Sequence, residues 1–325
     1  MISASRDWTT GLGGSPVFIG GCPRSGTTLL ARLVAGRTRK CFVTPESQFK
    51  FNLLGLGTDG TLTDERLEEA KRALEGSWRL KLWELDSDVE GIISRAECAT
   101  PRSIMEEVLE CYQRSHGLKD RGLRWIDHTP SNVTHCHLLM TAWPNARYVH
   151  IVRDGRAVLA SVRGLDWGPC TAAAAAEWWC ARVAQGLSME KMTGSSCITV
   201  RFEDLVRVPG ESLDRIVSFL QGDPGKKEST AQAFLPRYSQ GQHELVMEPP
   251  DAERAVAWRD ELPERDLVLF ESRAGSVLRA LGYELSTAGS PRARRGVELV
   301  RDTAVETAGE MRGKVLRRLR RGMAR

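Results

Sequence analysis

One feature constrains the fold more than any other. An apolar run at residues 16–20 leads directly into a glycine-rich loop, GGCPRSGTT, and then into an amphipathic segment at residues 29–35. A short apolar run of this kind is typical of a buried parallel strand. Strand, glycine-rich turn and helix in this order make the first half of a βαβ unit. We therefore expect a parallel sheet at the centre of the fold.

Strand and helix signals alternate along the rest of the chain. Further strands are predicted at residues 40–44, 124–127, 147–153 and 197–202, and helices at residues 133–143, 154–163 and 172–192. This alternation predicts an α/β fold with a P-loop-like parallel sheet flanked by helices on both faces. Residues 50–120 have a helical pattern throughout, and we interpret them as a helical insertion over the sheet edge.

The 325 residues are divided into a leader, one large domain and a basic tail. We expect the leader at residues 1–15, the domain at 16–285 and the tail at 286–325, which ends in GKVLRRLRRGMAR. We expect the basic tail to be a solvated end, and the alternative is that it contacts a membrane surface. No apolar run of about 18 residues is present, so no transmembrane segment is expected. The N-terminus also lacks the pattern of a secretory signal.

Composition narrows the cellular setting and the partners. The eight cysteines are dispersed without CxxC spacing, which indicates reduced thiols in a cytoplasmic protein. A net charge of +4 is too small to argue for a nucleic-acid partner. The adjacent residues His135, Cys136 and His137 resemble a metal-binding tract, but neighbouring helix positions point apart, so no metal is expected.

The glycine-rich loop nearly matches a nucleotide-binding motif. Gly21 and Gly26 have the spacing of G-x-x-x-x-G-K-[ST], but Thr27 stands where that motif has lysine, and the basic residue is Arg24 inside the loop. Backbone N–H groups at the start of a helix converge on one point, and the helix dipole favours an anion there. The loop is therefore predicted to bind a phosphate group without the lysine that spans the phosphates of a nucleoside triphosphate.

A second basic segment, YVHIVRDGRAVLASV, has the same strand-to-helix order. The predicted strand ends at Arg153, and Asp154 is suited to cap the helix that follows. Ser161 lies eight residues beyond Arg153, about two helical turns along.

Together these segments resemble the sulfotransferases that use 3′-phosphoadenosine-5′-phosphosulfate (PAPS). The likeness spans roughly residues 16–285 and is greatest to the tyrosylprotein and bacterial carbohydrate branch. It implies sulfuryl transfer from PAPS to a hydroxyl acceptor, with release of 3′-phosphoadenosine-5′-phosphate (PAP). It also implies two sets of cofactor-binding residues. The 5′-phosphosulfate site comprises Arg24, Ser25, Gly26, Thr27, Thr28 and Leu29, and the 3′-phosphate site comprises Arg153 and Ser161, with Arg156 less firmly placed.

Three residues are candidates for the chemistry. Glu46 follows the second predicted strand, at the carboxyl edge where open α/β sheets bind ligands, and its place resembles that of the family's catalytic glutamate. His128 stands where the family commonly has a lysine that contacts the transferring group, and it either donates as a cation or packs. Arg24, the basic residue of the loop, completes the catalytic set.

Two other functions compete with this interpretation. A P-loop kinase for a small molecule would bind phosphate with the loop and use Asp127 as a Mg²⁺ ligand. This sequence, however, lacks the lysine of the P-loop motif, and a kinase would have no role for Arg153 and Ser161. The other is a nucleotide-binding adaptor that docks through its basic tail. The acceptor is left open among sugars, tyrosine in peptides and specialised metabolites. Trp78, Trp83 and Trp167 either line its pocket or pack in the core.

Overall fold

The computed structural model describes residues 15–38, 41–57, 60–118, 122–220 and 251–287, with short stretches between 304 and 315. Nearly all of the expected leader, and most of the expected tail, lie outside the described residues. Among the described residues, no helix is long and apolar enough to cross a membrane.

A five-stranded sheet forms the centre of the molecule. Its strands are β1 (Val17–Gly21), β2 (Cys41–Val43), β3 (Arg124–Asp127), β4 (Arg147–Val152) and β5 (Cys197–Arg201). They lie in the order β2-β3-β1-β4-β5, and every neighbouring pair is parallel. Because the chain crosses over between parallel strands, the carboxyl ends of all five strands meet at one edge.

The helices account for most of the remaining described residues. Between β1 and β2 lies α1 (Thr27–Arg37), and between β2 and β3 lie five helices of the insertion: α2 (Phe49–Leu54), α3 (Asp64–Glu75), α4 (Trp78–Lys81), α5 (Val89–Arg95) and α6 (Pro101–Ser115). After β3 come α7 (Cys136–Ala142), α8 (Gly155–Val162), α9 (Ala172–Thr193), α10 (Phe202–Arg207), α11 (Pro209–Phe219), α12 (Trp258–Glu261) and α13 (Glu264–Ala280). Three 3₁₀ turns add to these, at Pro130–Val133, Gly194–Ser196 and Ala252–Ala255.

Alternation along the strands divides the core between the two faces of the sheet. In β1, Phe18 points into a cluster shared with the insertion helices, whereas Val17 and Ile19 point into a cluster with α1, α10 and α11. A third cluster joins α8, α9 and α13 around Trp179 and Phe270. Strands β1 to β4 are therefore largely buried on both faces, as is usual in a parallel sheet, whereas in the edge strand β5 only Val200 is buried.

The predicted fold class is confirmed. The main difference concerns the helix expected at residues 133–143, which is divided into the 3₁₀ turn Pro130–Val133 and the helix α7. The break lies at His135, whose φ of −114° and ψ of 23° are not helical. Pro130 occupies the first position of the turn, where its fixed φ and its missing N–H are tolerated.

Candidate active site

Four strand ends bring the candidate residues to one edge of the sheet. The loop after β1 carries Arg24, the loop after β2 carries Glu46, His128 follows β3 directly, and Arg153 follows β4 directly. In open α/β sheets, ligands bind in the crevice outside the carboxyl ends of the strands. The topology thus places all four residues at the edge where a ligand is expected.

The loop after β1 is shaped to present backbone N–H groups. Arg24 (φ 72°) and Gly26 (φ 96°) both have left-handed backbone conformations, and Gly26 caps α1 without any side-chain hydrogen bond. The first N–H groups of a helix have no intrahelical acceptor. Those of Thr27, Thr28 and Leu29 are therefore available to an anion. The side chain of Leu29 packs against the core, so its contribution to binding is limited to the backbone.

Gly26 is required by both conformation and space. A Cβ at this position would lie 2.6 Å from the ring of Phe202, in addition to the cost of its positive φ. We expect Gly26→Ala to lower the free energy of unfolding by about 1–3 kcal/mol, measured by chemical denaturation.

Gly36→Ala is the matched control, because Gly36 lies in the same helix α1 and nothing lies within 4 Å of its Cβ position. Alanine should stabilise the helix there by about 0.5–1 kcal/mol. Equal destabilisation by both variants would contradict a special requirement at residue 26.

Two buried donors in this region have no hydrogen-bond partner among the described residues: Ser25 Oγ in the loop and Arg153 Nε. Ser25 is fully buried. A buried polar group without a partner is costly in a folded protein. Unsatisfied donors at the head of a helix and on a neighbouring arginine fit a site for an anionic ligand such as the phosphosulfate of PAPS.

The two predicted phosphate sites are joined by direct contacts. Arg24 Nε donates to Ser161 Oγ at 2.9 Å, and Arg153 Nη1 donates to the backbone oxygen of Arg24, also at 2.9 Å. The guanidinium of Arg153 lies over the ring of Phe202, 4.2 Å from its centroid. Burial lowers the pKa of Arg153 to about 10, so it remains a cation at neutral pH. The structure thus brings Arg24, Arg153 and Ser161 together.

Arg156 points elsewhere. Its guanidinium donates to Asp154 Oδ2 at 2.7 Å and to Glu271 Oε1 at 2.6 Å, and it lies over the ring of Trp258. These contacts use the side chain to hold the start of α8 against α13. We therefore leave Arg156 out of the 3′-phosphate site.

Glu46 is held by the helical insertion. Its Oε2 accepts a hydrogen bond from Arg79 Nη1 at 3.0 Å, and both side chains are about one-fifth exposed. Arg79 in turn lies 4.9 Å from the ring centroid of Trp78. Burial lowers the pKa of Arg24, and the charge of Glu46 opposes that shift, so the two are electrostatically coupled across the site. Glu46 thus lies between a loop cation and an insertion cation.

His128 contacts the phosphate loop. The residue is buried, and its Nδ1 lies 3.4 Å from Thr28 Oγ1. This is a long contact for a hydrogen bond. It places the imidazole beside the loop that is expected to bind the transferring group, rather than in the hydrophobic core.

Sequence reasoning missed several residues around this site. Arg79 pairs with Glu46, and Phe202 supports both Gly26 and Arg153. Lys50 and Asp127 form a fully buried ion pair behind the site. The only sign in the sequence that Lys50 is buried is its position between two phenylalanines in an apolar segment. Nothing in the sequence pairs Arg79 with Glu46, because the two are separated by 33 positions.

The tryptophans differ in role. Trp83 is completely buried among core aromatics, 5.2 Å from Phe49 and from Tyr112 between ring centroids, which agrees with core packing. Trp78 is partly exposed and stacks on Arg79 beside Glu46. Within the described part of the chain, no group of three or more His, Cys, Asp or Glu side chains is arranged to hold a metal ion.

Comparison with known proteins gives a consistent result. The model of a family described as the sulfotransferase family matches residues 16–223. Protein-tyrosine sulfotransferase A of Caenorhabditis elegans is 24% identical over 284 residues, covering 82% of this chain and 67% of that protein.

Solved structures agree. The sulfotransferase domain from the curacin biosynthetic pathway aligns with a TM-score of 0.50 at 19% identity, over 83% of this chain and 98% of that domain. The sulfotransferase domain from the Synechococcus PCC 7002 olefin synthase aligns with a TM-score of 0.51 at 22% identity, over 85% of this chain and 97% of that domain. At such identities these likenesses establish the fold alone.

Proposed function

The chain belongs to the sulfotransferase family, and on this basis we propose that it transfers a sulfuryl group from PAPS to a hydroxyl acceptor and releases PAP. The observation that carries the proposal is the contact of Arg24 with both Ser161 and Arg153. These contacts join the loop proposed for the 5′-phosphosulfate to the residues proposed for the 3′-phosphate. A ligand with anionic groups at both ends of a nucleotide fits such a pair of adjoining sites.

The geometry supports the following binding roles. The N–H groups at the start of α1, the hydroxyl of Ser25 and the guanidinium of Arg24 would hold the 5′-phosphosulfate, and Arg153 with Ser161 would hold the 3′-phosphate. PAPS supplies the sulfuryl group when bound. Arg24 and His128 are placed to stabilise negative charge on the leaving phosphate oxygen, because preorganised donors act most strongly where charge develops.

Glu46 is proposed as the general base. Its carboxylate would accept the proton of the acceptor hydroxyl as the acceptor oxygen bonds to sulfur and the bond between sulfur and the bridging phosphate oxygen breaks, which releases PAP. Arg79 donates a hydrogen bond to one carboxylate oxygen and so restrains the position of the group. Positioning of this kind supplies much of the rate in transfer reactions of this class.

The acceptor is proposed only as a hydroxyl compound. The C. elegans relative is a protein-tyrosine sulfotransferase by name, which makes tyrosine in a peptide one candidate beside sugars and small specialised metabolites. An acceptor screen read by the mass gain of one sulfuryl group would identify it. A cytoplasmic setting is proposed from the eight cysteines, all of them free thiols.

A kinase is the main competing function, and the position of Asp127 argues against it. The kinase interpretation needs this carboxylate as a Mg²⁺ ligand. Asp127 is completely buried, and its two oxygens accept hydrogen bonds from Ser47, Lys50, Thr129 and Asn132. A carboxylate with so many internal donors has little capacity left for a cation.

One experiment separates these functions. The purified protein is incubated with radiolabelled PAPS or ATP and a mixture of acceptors, with and without EDTA. We expect label to move from PAPS to an acceptor and to persist in EDTA. Label moving only from ATP supports a kinase. PAPS binding without transfer to any acceptor supports the adaptor.

A further inference from the structure

A buried polar network lies directly behind the proposed site. At its centre is the carboxylate of Asp127, the last residue of β3, which is paired with Lys50 Nζ at 3.1 Å. Both side chains are completely buried. The carboxylate also accepts hydrogen bonds from Ser47 Oγ, from Thr129 N at 3.0 Å and Oγ1 at 3.2 Å, and from Asn132 Nδ2 at 2.8 Å.

The network connects the two loops that carry the proposed catalytic groups. Ser47 directly follows Glu46, and its backbone N–H donates to Thr129 Oγ1 at 2.9 Å. Thr129 directly follows His128. The Asp127 carboxylate thus connects the loop after β2 with the loop after β3. The connected residues, Ser47 and Thr129, are the chain neighbours of Glu46 and His128.

The network also reaches the phosphate-loop strand. Asn132 Nδ2, besides contacting Asp127, donates to the backbone oxygen of Ile19 in β1 at 2.9 Å. Lys50 Nζ donates to Ser47 Oγ at 3.0 Å and lies 4.1 Å from the ring centroid of Phe51. Three adjacent strands, β2, β3 and β1, are therefore connected at the edge where the site lies.

A fully buried ion pair is a costly way to stabilise a fold, because desolvation can exceed the attraction between the charges. A well-packed apolar pair of the same size would often serve stability as well. The cost of the Lys50–Asp127 pair, together with its place between the two loops, points to a role other than stability.

We propose that Asp127, held by Lys50, is a positioning residue that fixes Glu46 and His128 relative to each other for transfer. The catalytic significance rests on the proposed function, whereas the mechanical role does not. Asp127 itself touches no reacting group. It acts through Ser47 and Thr129, whose backbones carry the two neighbouring side chains.

The test compares Asp127→Asn with Glu271→Gln. Glu271 is a matched control because it too is a buried carboxylate with five hydrogen bonds, from Arg156, Ser286 and Thr287, but on α13 and outside the proposed site. Hydrogen exchange followed by mass spectrometry reports loop mobility without any need for activity. We expect peptides containing Ser47 and Thr129 to exchange about tenfold faster in Asp127→Asn only, the effect of weakening hydrogen bonds to a charged group.

Turnover is the second measurement. In Asp127→Asn, kcat should fall about a hundredfold, as small misplacements of reacting groups can cause, with PAP affinity within about twofold of wild type. Glu271→Gln should keep wild-type kcat. If Asp127→Asn does not fold, Ser47→Ala removes one link of the same network and receives both measurements.

The outcomes are distinct. Unchanged exchange at Ser47 and Thr129, or equal loosening in Glu271→Gln, overturns the positioning role. Faster exchange with unchanged kcat overturns its catalytic significance. If the wild-type protein transfers nothing from PAPS, the proposed function fails, and hydrogen exchange still decides whether Asp127 fixes the two loops.

Discussion

Glu46→Gln is expected to cut turnover by about two to four orders of magnitude, the usual contribution of a general base, while PAP affinity stays nearly unchanged. Glutamine keeps the size of the side chain and can still accept the hydrogen bond from Arg79, but it cannot take a proton from the acceptor. Binding and chemistry should therefore separate. The measurement is steady-state kcat with a saturating acceptor, together with PAP affinity by calorimetry.

Glu190→Gln provides the matched control. Glu190 also accepts a side-chain hydrogen bond, from Thr199, and contacts His150, and its side chain is 28% exposed compared with 21% for Glu46. It contacts the middle of β4 rather than the carboxyl edge, so its replacement should leave kcat within about twofold. Wild-type turnover in Glu46→Gln would assign the base elsewhere, and His128 would be the next candidate.

Arg153→Ala is expected to weaken PAP binding about ten- to a hundredfold while changing the affinity for 5′-AMP much less. The reason is that Arg153 is proposed to contact the 3′-phosphate, which 5′-AMP lacks. A charge-assisted hydrogen bond contributes roughly 1.5–3 kcal/mol, which corresponds to this range of affinities. Calorimetric titration of both nucleotides measures the difference.

Arg201→Ala is the matched control for Arg153→Ala, because it also removes an arginine at the carboxyl edge of the sheet. Arg201 ends β5, lies 4.2 Å from the ring centroid of Tyr283 and donates to the backbone oxygen of Leu281 at 2.6 Å. Arg153 makes the same kinds of contact, with Phe202 and with the backbone of Arg24. Only Arg153→Ala should discriminate between the two nucleotides. Equal weakening of PAP and 5′-AMP would place Arg153 outside the 3′-phosphate site.

The strands of the sheet could largely be predicted from the amino-acid sequence. Strand and helix periods at β1, β3 and β4 depend on local residue order, so the elements were predicted within one or two residues of their observed bounds. The turn between β1 and α1 could also be predicted, because Gly21, Arg24 and Gly26 lie within a few residues of one another, whereas phosphate binding by this loop stays a prediction. Arg153 and Ser161 lie before the start and near the end of α8, and only the resemblance to the sulfotransferase motif paired them.

The contacts that hold the proposed site together could be seen only in the folded chain. Arg79 on α4 reaches Glu46 in the loop after β2, Phe202 at the start of α10 packs against Gly26, and Lys50 pairs with Asp127 across 77 positions of sequence. The direction of Arg156, toward Glu271 rather than toward the proposed 3′-phosphate site, could not be predicted from the sequence either. Local periodicity in the sequence does not predict such pairs, because they depend on which strands become neighbours. The order β2-β3-β1-β4-β5 brings residues that are distant in sequence to one edge of the sheet. A buried charge is costly there unless it lies beside an opposite charge, so the pairs depend on this tertiary arrangement.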